Sequence, residues 1–400
     1  MKNGAKTDIV IGANFGDEGK GLAVDYLCSR IPKGKKKLGI LTNGGPQRAH
    51  TVVTPEGYRH VFHHLSSGSF VGADTYCSKY FLVNPILLVE EYAEFATKFG
   101  IIPKIFIDKD CLLTTIFDMM INQTVEENRG IAKHGSCGLG IFETLYRNQT
   151  PRFGFKTEFC FNPLAMTVGE FAHMNYLDRY NFLIYLRDEY LPARFNSFGI
   201  KHLNDDFTRL LGKNETGLIT HYLKDFDRMM TVATLTSGEI FENYDYFCFE
   251  NGQGLLLDKD NMDYYPFLTP SNTGLKIPLN LCKENGVNDN ITTYYVSRTY
   301  MTRHGVGRFD TECPKAEINP NMIDMTNVPN PWQDNLRYGK LDTEDLYRRI
   351  AADSFEEITN TNLASKVCIF MTHINEYSTN METPVSSFGL TRNEVVDTFH

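Results

Sequence analysis

The chain has 400 residues and a net charge of −9, with 42% hydrophobic and 22% charged residues. That length exceeds a single compact domain of ordinary size, so a large α/β body with elaborations is expected, with enough apolar residues to fill its core. The acidic balance argues against a nucleic-acid duplex or an anionic membrane as the main partner, but it leaves room for a small anion held by local loops.

Nine cysteines are scattered along the chain without a C-x-x-C pair, which reads as reduced thiols of a cytoplasmic protein, not as a disulfide framework or a zinc site. The N-terminus passes straight into an apolar strand without a signal-peptide core, and no apolar run is long enough to span a bilayer.

Asp8-Ile-Val-Ile-Gly12 is a short apolar β run ending in glycine, and Leu22 to Cys28 carries apolar residues at helical spacing. Leu38 to Thr42 predicts the next strand, with Asn43 to Pro46 as the loop after it. Strand, glycine-rich loop, helix and strand in this order predict an α/β fold of the P-loop NTPase kind. It has a large, mostly parallel central sheet flanked by helices, with ligand loops at the carboxyl ends of its strands. Leu82 to Phe99 predicts a helix beginning near Pro85, and Ile105 to Asp108 another strand. Residues 155–245 are rich in aromatics and charge, with helical periodicity around Phe171 to Leu186 and Phe207 to Leu211, and are read as a helical subdomain. Asp245 to Glu250 and Val367 to Met371 return to strand character. No internal repeat or low-complexity linker divides the chain, so residues 1–400 are expected to form one interwoven domain.

The loop Gly12-Ala-Asn-Phe-Gly-Asp-Glu-Gly-Lys-Gly21 follows the first strand. Its glycines let consecutive backbone N–H groups converge on phosphate oxygens, the next helix adds its positive N-terminal end, and Lys20 brings an ammonium. It departs from the G-x-x-x-x-G-K-[ST] pattern, because Asn14 stands at the first glycine and Gly21 replaces the Mg²⁺-binding hydroxyl. The acidic pair Asp17-Glu18 repels phosphate unless one carboxylate binds a metal or acts as a base.

Gly16-Asp-Glu-Gly-Lys-Gly21 resembles the signature loop of the adenylosuccinate synthetase family, whose members join aspartate to the 6-oxo carbon of a purine nucleotide. Further segments match in the family's order. Asn43-Gly-Gly-Pro-Gln-Arg-Ala-His-Thr51 is similar to G-G-x-N-A-G-H-T, His64-Leu-Ser-Ser-Gly68 to H-L-x-P-S-G, and Gly135-Ser-Cys-Gly-Leu-Gly-Ile141 to G-T-T-x-x-G-I-G-P. Glu250-Asn-Gly-Gln-Gly-Leu-Leu-Leu-Asp258 resembles E-G-A-Q-G-x-L-L-D, and Tyr300-Met-Thr-Arg-His-Gly-Val-Gly-Arg-Phe-Asp-Thr-Glu312 resembles Y-x-T-R-V-G-x-G-P-F-P-T-E.

The resemblance implies a homodimeric ligase using Mg²⁺, a purine nucleoside monophosphate, aspartate and a nucleoside triphosphate. In it Asp17 is the base that removes the N1 proton of the purine, so that O6 can be phosphorylated. Gly16, Glu18, Gly19 and Gly21 shape the phosphate loop around Lys20, and Mg²⁺ takes Asp17 and the backbone carbonyl of Ala49. His50 donates to the γ-phosphate or to O6. The acceptor nucleotide falls to Gln47, Ser136, Cys137, Gln253 and Thr269, and either Arg147 or Arg152 reaches its phosphate across the dimer interface. Cys137 and Gln47 replace a threonine and an asparagine of the family, and a thiol is the poorer donor.

The aspartate loop of the family, T-T-G-R-R-R-R-T-G-W-L-D, is matched by Asn330 to Asp342. Arg337 keeps the arginine nearest the glycine and is the expected clamp for the aspartate carboxylates. Gln333 and Asn335 stand where the family has a threonine and a ribose-side arginine. The family reads guanine with T-K-x-D, and this chain has Thr372-His-Ile-Asn375. His373 and Asn375, with Ser387 and Gly389 from Ser387-Phe-Gly-Leu-Thr-Arg392, are the expected frame of the donor base. Asn375 can both donate and accept, which suits adenine and points towards ATP or dATP. Two further readings fit these residues: a phage-type 2-aminoadenylosuccinate synthase acting on dGMP, and a nucleotide-binding regulator that keeps the scaffold without turnover.

Overall fold

Strand β1 (Lys6–Gly12) is buried along nearly its whole length, as an apolar run must be when a parallel sheet is covered on both faces. The computed structural model describes residues 4–130, 134–149, 164–200, 203–212, 216–322, 336–379 and 381–399. The main sheet adds β2 (Lys37–Leu41), β3 (Ala73–Cys77), β4 (Ile105–Asp108), β5 (Ala233–Thr236), β6 (Tyr246–Glu250), β7 (Ile291–Arg298), β8 (Ser365–Thr372), β9 (Val385–Ser387) and β10 (Val395–Asp397). Their order is β10-β9-β8-β7-β1-β6-β2-β3-β4-β5. Every neighbouring pair is parallel except β9 and β10. The mostly parallel sheet read from the sequence is therefore the fold.

The helices, in chain order, are α1 (Lys20–Ser29), α2 (Pro85–Phe99), α3 (Ile116–Arg129), α4 (Ile141–Gln149), α5 (Val168–His173), α6 (Tyr176–Tyr185), α7 (Leu191–Ser197), α8 (Asp205–Leu210), α9 (Gly217–Val232), α10 (Lys276–Glu284), α11 (Lys315–Ile318) and α12 (Thr343–Thr361). Local chemistry sets their ends. Asn84 caps α2 by accepting from the N–H groups of Ile86 and Leu87, Pro85 takes the first helical position, and Gly100 at φ 67 ends the helix.

The stretch expected as a helical subdomain holds α5 to α9 and then enters the sheet, because β5 pairs with β4 at its edge. Its residues 155–163 lie outside the described ones. Phe171, Tyr222 and Phe226 share one apolar core with Leu41, Ile105 and Ile107 of the sheet, so the helices are packed onto the main body.

Arg147, one of two arginines expected to reach across a dimer interface, is wholly buried within its own chain. Its guanidinium makes two bonds of 2.9 Å to the Asp118 carboxylate and also donates to the carbonyls of Leu113 and Leu164. A side chain fixed in this way locks α4 to α3 and has no reach left for a ligand phosphate. The alternative, Arg152, lies outside the described residues. Removing one partner of a buried ion pair leaves the other charge uncompensated, which costs about 3–5 kcal/mol. Arg147→Ala is therefore expected to lower the unfolding free energy by about that amount in urea titration, and Arg147→Met with Asp118→Leu to recover most of it.

Candidate functional site

The carboxyl ends of β1, β2, β6, β7 and β8 converge on one side of the sheet, and the loops leaving them build the site. In the loop after β1, Gly16, Asp17 and Gly19 all have positive φ, 109°, 53° and 95°. A Cβ on Gly12 would lie 2.5 Å from the Gln253 carbonyl oxygen, and one on Gly254 would lie 2.4 Å from that of Asn14. The loop after β1 and the loop after β6 are therefore pressed backbone to backbone, which only glycine allows. Arg349 of α12 fastens the same loop from outside, donating to the Ala13 carbonyl at 2.7 Å and to the Asn14 side chain.

Inside the loop, the two carboxylates of the acidic pair part ways. Glu18 turns inward and accepts from the N–H groups of Asn14 (3.0 Å) and Gly16 (2.8 Å) and from Lys20 Nζ (2.8 Å). Lys20, the expected phosphate anchor, is buried in an ion pair with it. Asp17 points the other way, and its Oδ2 lies 2.9 Å from His304 Nε2. The surrounding protein opposes its charge. The hydrogen bond and charge of His304, with Arg298 and Lys20 nearby, outweigh that and hold the carboxyl well below the usual carboxylate range. Asp17 is thus ionised, as a carboxylate that binds a cation must be.

His50 stands at the head of a short strand, its Nδ1 2.7 Å from Glu250 Oε1. Glu250 ends β6 with no solvent exposure. It also accepts from Arg48 (2.5 Å), from the Ser67 hydroxyl and from the Ser67 backbone N–H (3.1 Å). Burial would raise its pKa, but Arg48, His50 and Ser67 bring it down to about 2. Burial, with Arg48 beside it, brings His50 down to about 3. A neutral imidazole whose Nδ1–H is given to a carboxylate presents Nε2 as an acceptor. The donation expected of His50 therefore needs a second ring proton, which an arriving phosphate charge would stabilise.

Two amide side chains complete the centre. Gln47 has neither its amide nitrogen nor its oxygen bonded among the described residues, and Gln253 Oε1 is likewise unbonded and buried. A Cβ on Gly44 would lie 2.5 Å from Gln47 Nε2 and 3.4 Å from Gln253 Oε1, so the two amides meet over that glycine. Buried polar atoms left without protein partners are open to a water or a polar ligand.

The other expected residues are placed as follows. Ala49 is exposed at the rim, beside His50. Ser136 gives its hydroxyl to Asn122 Oδ1 at 2.9 Å, and burial pushes the Cys137 thiol up to about 11, so Cys137 keeps its S–H, a weak donor. Thr269 is buried, its N–H bonded to the Leu257 carbonyl. Arg337 is closed on Glu312 through two bonds of 2.8 and 2.5 Å, and also donates to the carbonyls of Gly305 and Gly307. Gln333 and Asn335 lie outside the described residues. At the donor end Asn375 is exposed, His373 bonds Thr372 Oγ1 at 2.8 Å, and Ser387 gives its hydroxyl to the Gly389 carbonyl.

A carboxylate and a carbonyl oxygen, the pair expected from Asp17 and Ala49, are the donor types that suit a hard cation. Among the described residues no group of three or more His, Cys, Asp or Glu is placed to hold a metal. This donor set fits Mg²⁺ bound by one carboxylate together with water and substrate phosphates, the usual arrangement for that ion.

The sequence reading left Glu250, Arg48, Arg298 and His304 without roles. Glu250 was within reach, since an acidic residue ending an apolar strand needs a partner. The others act across long sequence separations and carried no local signal.

The family model described as adenylosuccinate synthetase matches residues 9–364 of the chain. The adenylosuccinate synthetase of Thermoplasma acidophilum is 27% identical over 374 residues, 90% of this chain and 76% of the relative. The matches to those of Acaryochloris marina (29% identical) and Mycolicibacterium smegmatis (27%) cover 76% of this chain, but only 62% and 64% of the relatives' own length. In fold the chain is similar to fully ligated adenylosuccinate synthetase from Plasmodium falciparum. That match has a TM-score of 0.63 and 18% identity over 92% of this chain and 77% of the other. It is also similar to the cyanophage S-2L succinoaminodeoxyadenylate synthetase bound to dGMP and to dATP as energy donor. There the TM-score is 0.61 and the identity 14%, over 98% of this chain and 95% of the other.

The His50 geometry gives a pH dependence. Between its ordinary value of 6.5 and its folded value of about 3, the unfolded chain binds a proton that the folded chain refuses. Its contribution to stability therefore falls as pH drops through that window. ¹⁵N NMR of the ligand-free protein at pH 5 should show a neutral His50 ring protonated on Nδ1, and His50→Asn should make the acid limb of the stability curve shallower.

Proposed function

This chain belongs to the adenylosuccinate synthetase family, and we propose that it joins L-aspartate to C6 of a purine nucleoside monophosphate at the expense of a nucleoside triphosphate. The observation that carries the reading is the pair of unbonded amides, Gln47 and Gln253, set beside an ionised Asp17 and the Lys20 loop. A plain nucleotide hydrolase has no use for that second polar pocket. Asp17 takes the N1 proton of the purine, and O6 then attacks the γ-phosphorus as the bond to the leaving nucleoside diphosphate breaks. Lys20 leaves Glu18 to hold the transferring group, and His50, once protonated beside the phosphate, donates to it. The aspartate amine next attacks C6, and phosphate departs with the former O6. Arg337 exchanges Glu312 for a substrate carboxylate, a like-for-like swap of bidentate partners. Asp17 and the Ala49 carbonyl would hold Mg²⁺, which would supply charge neutralisation on the phosphates. The enzyme works as a cytoplasmic homodimer.

The exposed Asn375, standing where the family reads guanine with a carboxylate, favours ATP or dATP as the donor. A second reading takes dGMP as the acceptor, the ligand of the cyanophage enzyme. Asn375 favours it, and Asp17, which suits an acceptor with an N1 proton to lose, fits both. A regulator that binds nucleotide without turnover is the remaining alternative.

Purified protein with Mg²⁺ and L-aspartate is to be offered IMP, dIMP, GMP or dGMP, each with ATP or GTP, and the succinyl product weighed by mass spectrometry. We expect product with ATP favoured over GTP; none in any combination overturns the ligase reading. Asp17→Asn is expected to cut turnover by about 10²–10⁴-fold, the usual worth of a positioned acid–base group, while nucleotide binding persists.

A further inference from the structure

Asp17 is a non-glycine residue at φ 53°, a conformation that persists only where the surroundings hold it. Two bonds do so, and both come from the same corner of the sheet. Arg298 Nε donates to the Asp17 carbonyl at 2.5 Å, and Thr372 Oγ1 donates to the Glu18 carbonyl at 2.6 Å. Arg298 and Thr372 are register partners at the carboxyl ends of β7 and β8. Thr372 leads directly into the turn that carries His373 and Asn375.

Arg298 does not end at the loop. Its Nη1 donates to the Tyr300 hydroxyl at 2.9 Å, and that hydroxyl donates to Glu376 Oε2 at 2.5 Å. The direction of this chain is fixed, since a guanidinium only donates and a carboxylate only accepts. Glu376 follows Asn375, and its own backbone is tied on both sides: its N–H donates to the His373 carbonyl (3.0 Å), and its carbonyl accepts from Asn319 Nδ2 (2.9 Å). The Thr299 hydroxyl also bonds the His373 carbonyl at 3.1 Å. A continuous line of bonds thus runs from the turn expected to read the donor base to the backbone of the expected base.

We propose that Arg298, Tyr300 and Glu376 are positioning residues that make the alignment of Asp17 depend on the donor-base turn, so that a mismatched donor is rejected in turnover more than in binding. The inference rests on the function proposed above. A donor base that seats on Asn375 sets the turn, Glu376 holds the Tyr300 hydroxyl, and Arg298 presents its Nε to the Asp17 carbonyl. A base that seats poorly releases that carbonyl, and Asp17 relaxes away from the acceptor.

The test uses the full chain and Tyr300→Phe, which keeps the ring beside Tyr338 and His373 and removes only the hydroxyl. Steady-state kinetics should show kcat down about 10-fold, the scale of a small misalignment of a catalytic group, with the donor KM within about two-fold and the ATP-over-GTP preference in kcat reduced. Glu376→Ala should match it, Glu376→Gln should stay near the parent because its amide oxygen still accepts, and the Tyr300→Phe, Glu376→Ala double variant should be no worse than either single. A loss confined to KM, an unchanged kcat, or additive effects in the double variant overturns the relay. Hydrogen–deuterium exchange over residues 16–19, with ATP binding followed separately by a fluorescent analogue, reads the coupling without turnover. The parent should gain protection on binding ATP, and Tyr300→Phe should bind ATP without that gain. If the parent makes no succinyl product yet shows this difference, the ligase reading fails and the coupling stands. Product formation with equal protection in both proteins sinks the coupling alone.

Discussion

A carboxylate with no solvent around it must be matched by neighbours, and the way Glu250 is matched organises the centre of this molecule. The parallel register sets Glu250 between Val10 of β1 and Leu41 of β2, so its partners have to come from the loops that leave those strand ends. Arg48 and His50 fold down from the loop after β2, and Ser67 closes from the following turn. That drawing-in carries Gln47 over Gly44 to meet Gln253. A buried network of this kind gains from each bond made, and next to it Arg48 Nε and Nη1, both polar atoms of the Gln47 amide and Gln253 Oε1 are left without partners among the described residues.

The parts legible in the sequence were those governed by neighbours along the chain. The apolar run of β1, the Asn84-Pro85 start of α2 and the glycine pattern of residues 12–21 each follow from local rules, and each is present as read. Strand β5 was absorbed into a helical region because four residues, Ala-Thr-Leu-Thr, carry too little alternation to separate from the helix before them. In the site, Asp17, Lys20 and His50 were legible because their motif surrounds them. His304 was not, since nothing near position 304 indicates that its ring comes to lie on Asp17.

Arginine shows most clearly why residue type alone decides little. Arg147 is consumed by Asp118, Arg337 by Glu312, and Arg303 lies buried against the rings of Phe15 and Tyr264, 4.5 and 5.4 Å from their centres. The first is structural, and the second is held by a solvent-exposed carboxylate. The third braces the phosphate loop from the side, and burial with Arg337 close by lowers its pKa to about 10. A sequence names a guanidinium; only the fold says what has already taken hold of it.

The inward turn of Glu18 has a consequence for selectivity. With Lys20 and the N–H groups of Asn14 and Gly16 all bound to it, the loop is not a bare cationic cradle. A visiting anion competes with a carboxylate tethered in the same loop, whose effective concentration is on the order of millimolar or above. A small anion anchored at this loop alone meets that competition unaided. A ligand that displaces Glu18 from this loop therefore has to draw binding energy from contacts elsewhere as well.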